Sequence, residues 1–115
     1  MKLKVDETFQ QAIVAHKEGK LKEAEDLYRV TLKIQPLHAE ANHNLGIIAL
    51  HTNQSGVALL LFKTAIENNP NIEHFWINYI DTLIKERQFE DANKALKKGK
   101  KSSLTKNNFN LLFKR

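Results

Sequence analysis

The stretch Gly19 to Pro36, GKLKEAEDLYRVTLKIQP, decides the fold, because its punctuation returns at a constant offset. Ala24, Tyr28 and Pro36 come back as Ala58, Phe62 and Pro70, and again as Ala92, Leu96 and Leu104; each step is 34 residues. A small residue, a large ring four positions on and a proline eight beyond it, repeated at that period, describe a helical hairpin stacked on copies of itself. The fold class expected is therefore all-α, a right-handed superhelical stack of helix-turn-helix hairpins.

Working outward, the spacing predicts a first helix over about Val5 to Glu18, with Phe9, Ala12, Ile13 and His16 on one stripe. Gly19 suits the left-handed cap that ends it. A second helix over about Leu21 to Ile34 turns Ala24, Leu27, Tyr28, Thr31 and Leu32 inward, and Pro36 closes the hairpin by disfavouring helical geometry at Gln35. Moved by one period, the pattern predicts helices over about His38 to Thr52 and Gly56 to Asn68, joined at Asn53-Gln54-Ser55-Gly56. Gly46 inside the third helix costs about 1 kcal/mol against alanine, which suggests that another backbone approaches closely there. The corresponding residues are Ala12 and Ile80, so the third unit is expected to pack less tightly, or differently, at this crossing. That unit begins at about Ile72 with Phe75, Trp76 and Tyr79, and its partner helix runs from about Phe89 to Lys98. A last amphipathic segment, 105–115, carries Phe109, Leu112 and Phe113 at helical spacing and is expected to cap the open flank. The whole of 1–115 is read as one domain, with repeats at about 5–38, 39–72 and 73–106.

Composition excludes several classes. The longest apolar run, Val57 to Phe62, is far short of the roughly 20 residues of a membrane-spanning helix. KLKVDETFQQ after Met1 lacks the apolar core of a secretory signal, and a cytoplasmic address is expected. With no cysteine, disulfides and thiolate chemistry are ruled out. The net charge of +5 owes much to Lys94, Lys97, Lys98, Lys100, Lys101 and Lys106, a cluster that reads as a solvated helix face. Binding to nucleic acid is the competing reading, weakened by the absence of interleaved aromatics for stacking on bases.

With these residues in place the chain resembles the tetratricopeptide repeat family. The middle unit matches its pattern at Leu45, Gly46, Ala49, Ala58, Phe62, Ala65 and Pro70, the first at Ala12, Ala15, Leu21, Ala24, Tyr28, Ile34 and Pro36. The third supplies Trp76, Tyr79, Leu83, Phe89, Ala92 and Leu96 but lacks the glycine and the proline. Phe75-Trp76 and Tyr79-Ile80 add a narrower likeness to the repeat regions that precede transferase domains in bacterial multidomain proteins, and on that likeness the chain is expected to be the N-terminal part of a larger protein.

The resemblance implies that the first helix of each hairpin lines a concave groove. On that alignment Phe9, Ile13 and His16, then His43, Asn44, Ile47, Leu50 and His51, then His74, Ile77, Asn78, Asp81 and Ile84 form the candidate peptide-binding groove. Family members that bind chaperone tails grip a terminal carboxylate with lysine, arginine and asparagine. The matching positions here are Phe9, Ile13, Asn44, His74 and Asn78; only Asn44 agrees, and without cations the charge-assisted bonds are lost. The strip asks instead for an apolar extended peptide or amphipathic helix, unless a second copy of the chain covers it.

No cofactor, metal or catalytic residue is expected. Gly19, Gly46, Gly56 and Gly99 are too scattered for a phosphate cradle, and Ser55, Ser102 and Ser103 have no glycine elbow around them. His43 and His51 stand eight residues apart, about 12 Å along a helix and too far for one ion. A pH-dependent groove affinity through His43 and His74, near Glu40, is a further expectation. The functional expectation is thus a protein-interaction module that is not an enzyme, with self-association as the alternative and no membrane partner.

Overall fold

The computed structural model describes residues 2–102, and the expected cap at 105–115 lies outside them. Six helices succeed one another: α1 (Lys2–Lys17), α2 (Leu21–Ile34), α3 (Ala39–His51), α4 (Ser55–Asn68), α5 (Glu73–Lys85) and α6 (Phe89–Ser102). α2 has the expected bounds. α1 starts three residues early, and α6 runs past the expected end at Lys98. α6 passes through Gly99, which is buried at the position that Thr31 and Ala65 hold in the earlier units. That column thus holds threonine, alanine and glycine in turn.

The hairpin turns share one construction. Gly19 has φ +78°, and the residues one and two periods on, Asn53 and Arg87, have φ 59° and 61°. At each turn the amide three residues past the helix reaches back to the same carbonyl: Lys20 to Ala15, Gln54 to Ala49 and Gln88 to Leu83, at 2.8–2.9 Å. A shorter loop of bonds runs from Gly19 to His16, Asn53 to Leu50 and Arg87 to Ile84. This paired closure satisfies the carbonyls a helix end would leave open, and it requires the left-handed residue between them.

The joints between hairpins are made by proline. Gln35 and Asn69 take extended backbone (ψ 85° and 84°), as the residue before a proline must, and so α2 and α4 stop. A side chain from the next helix then fastens each proline carbonyl. The Asn42 amide donates to Pro36 (3.1 Å) and to His38 (2.9 Å), and one period later the Trp76 indole N–H donates to Pro70 (2.8 Å). His38 caps α3 by accepting from the Ala41 amide at 3.1 Å.

Two larger clusters and a small central one make the core. Phe9, Ala12, Tyr28, Leu45 and Ile48 join α1 and α2 to α3; Ala49, Ala58 and Phe62 join α3 to α4. Ile66, Phe75, Trp76, Ile80, Leu83 and Leu96 join α4 to α5 and α6. What approaches Gly46 is a side chain: a β-carbon there would lie 2.5 Å from the Phe62 ring, which is wholly buried. At the same column Ala12 accompanies Tyr28 and Ile80 accompanies Leu96, all buried. Bulk withdrawn from one helix is supplied by its partner; even so, α5 and α6 meet less extensively than the helices of the two earlier hairpins, so the third unit packs less tightly, as expected.

Candidate functional site

The expected groove residues divide sharply by burial. Phe9 and His43 are 6% and 3% exposed and belong to the core, which corrects their placement on an open face. Each is covered by a ring from the next hairpin. The Phe9 ring lies 4.5 Å from the His38 ring, and His43 stacks on Phe75 at 4.5 Å with 24° between planes. Ile13, Ile47, Leu50, Ile77 and Ile84 are half-buried, as are His16, Asn44, Asn78 and Asp81, while His51 and His74 are exposed.

Much of the polar equipment is already engaged inside the chain. His16 Nδ1 and the Tyr28 hydroxyl are 3.0 Å apart, and Asn44 also bonds that hydroxyl. Burial raises the Tyr28 pKa, which the Asn44 bond opposes; burial lowers that of His16, helped by the neighbouring charge of His51. One period on, the Asn78 amide nitrogen lies 3.2 Å from His43 Nε2. With the amide donating, the imidazole carries its proton on Nδ1, which is buried without a hydrogen-bond partner among the described residues. Burial first, and the His74 ring 5.2 Å away second, push the His43 pKa down to about 4. Asp81 forms an ion pair with Lys85 at 3.2 Å. Among the described residues no three His, Asp or Glu side chains converge on a possible metal position, and no helix is long and apolar enough to cross a membrane.

A second concavity, absent from the expectations above, opens between α4 and α6 with a volume of about 570 Å³. Ile66, Trp76, Tyr79 and Ala95 supply its apolar lining. Reading position against position one period apart would have found it, since Leu61 gives way there to Ala95.

No family model matches the sequence, and no curated protein matches it. Solved structures do match in shape. The Sgt2 TPR domain from Aspergillus fumigatus aligns with TM-score 0.77 at 16% identity, over 96% of this chain and 78% of that one. A chain of the CopN-Scc3 complex aligns with TM-score 0.77 at 13% identity, over 86% of this chain and 58% of that one. MamA aligns with TM-score 0.75 at 14% identity, over 83% and 56%. The chain thus spans little more than half the length of two of these three.

Proposed function

We propose, from a chain that folds as stacked tetratricopeptide repeats, that this protein is an interaction module holding an apolar peptide or amphipathic helix against its first helices. One observation carries the reading. Ile13 and Ile47 share one column of the repeat, Leu50 and Ile84 another, and with Ile77 on α5 they make five half-buried apolar side chains on the first helices of the three hairpins. Rigid helices present that set without further ordering, so little conformational entropy is lost on binding. Contact area comes from these five residues, and the amide groups of Asn44 and Asn78 retain bonding capacity toward a peptide backbone.

The test titrates a set of labelled amphipathic-helix peptides against the wild type and the Ile47→Asp and Leu50→Asp variants. Binding by wild type that drops at least about tenfold in both variants, with far-ultraviolet circular dichroism unchanged, is the expected result. Equal binding by all three proteins, or by none, overturns the reading. Sedimentation at two concentrations assigns the strip to self-association if the wild type grows heavier with concentration and the variants do not.

A further inference from the structure

The gap between α4 and α6 is open for a reason written in two helices. One unit earlier, the gap between α2 and α4 is lined by Arg29, Leu45, Val57 and Leu61 and holds only about 10 Å³. At those same columns the later gap has Lys63, Tyr79, Asp91 and Ala95. The decisive exchange is Leu61 for Ala95, since the half-buried leucine packs on the core of the first hairpin while the alanine leaves its volume empty. The opening is thus a property of this sequence at this joint, not of stacked hairpins in general.

Its chemistry is equally particular. Trp76 and Tyr79 form an aromatic wall where the earlier joint has Asn42 and Leu45, and Ile66 and Ala95 complete an apolar surface. Around it stand Lys63, Lys94, Lys98 and Lys101, all exposed and none in an ion pair among the described residues. Two carboxylates, Glu67 and Asp91, share the rim, and both lie near the Tyr79 hydroxyl. Four cations against two anions leave the mouth positive over a floor that rewards an inserted ring or branched side chain.

We infer that this cleft is a second docking site, taking a short acidic segment of a partner protein that inserts one apolar side chain between Trp76 and Ala95 and sets its carboxylates on the lysines of α4 and α6. Charge complementarity selects that occupant. The chain's own residues 103–115 bring Lys106, Lys114 and Arg115 and no acidic side chain, so they would meet like charge at the rim. The site is independent of the strip on the first helices.

Trp76 is the one tryptophan of the chain, so its indole N–H gives a single assignable signal in a nitrogen-correlated NMR spectrum. The experiment adds to the full chain a short blocked peptide with Phe-Leu at its centre and Glu or Asp elsewhere. Two controls accompany it: a twin with lysine in place of every acid and a twin with Ala-Ala at the centre. Expected is a saturable shift of the Trp76 signal with the acidic peptide alone, weakening as salt rises. Ala95→Leu, which refills the gap as Leu61 fills the earlier one, and the exposed Lys98→Glu should each weaken binding about tenfold. No indole shift, equal response to the lysine twin, or unchanged binding by either variant overturns the proposal. So does a Trp76 signal that moves without peptide when Phe109 and Phe113 are replaced by alanine, because that assigns the cleft to the chain's own end.

Discussion

Position 43 holds an imidazole where the packing asks for a flat aromatic disc. His43 lies against Phe75 and Phe62, with His74 the neighbouring titratable ring and the Asn78 amide its polar partner. Its folded pKa of about 4 stands below the ordinary value near 6.5, so the unfolded chain takes up the proton first as pH falls. Stability from this group is therefore intact above about pH 6.5 and is lost as the pH drops from there to about 4, by an amount on the order of 3 kcal/mol. Urea denaturation at pH 7 and pH 4.5 should show wild type losing roughly 2 kcal/mol more than His43→Phe over that interval; parallel losses would refute the assignment. The pH sensitivity that His43 contributes is thus one of stability. At Gly46, likewise, the missing side chain marks the place of a ring and not of a second backbone.

Among elements, the three hairpin turns are built alike and filled differently. Glycine adopts the left-handed conformation freely, asparagine tolerates it, and a residue such as Arg87 is disfavoured there by about 1–2 kcal/mol. Arg87 is exposed and accepts this because the bonds from Gln88 and from its own amide hold the turn. Arg87→Gly should raise stability by about 1 kcal/mol, the relief being partly offset by the greater freedom of glycine in the unfolded chain. A melting temperature that fails to rise would show that the arginine side chain contributes more than its backbone strain removes. The turn was legible at Gly19 from residue type alone and at Asn53 from its polar neighbours. At Arg87 only the period announces it, since nothing in arginine's chemistry favours a positive φ.

For the molecule as a whole, the fold was legible because a local rule stated three times leaves few alternatives: proline stops a helix, a small residue admits a ring, a left-handed residue turns the chain. The binding surface was harder to read. Whether Phe9 or His43 is open depends on how closely the next hairpin settles on it, and that distance is set by residues more than 25 positions away. The α4–α6 cleft was hidden for the opposite reason, being made by what Ala95 lacks. Both cores meet only their neighbours in the row: one cluster ties α1, α2 and α3, another ties α4, α5 and α6, and the small group around Phe62 links them. Such a molecule comes apart like a short stack of coins rather than a drop of oil, its outermost members loosening before the middle gives way. Deuterium uptake should accordingly be slowest in α3 and α4, and uniform uptake along the row would mean that the three hairpins rise and fall as one.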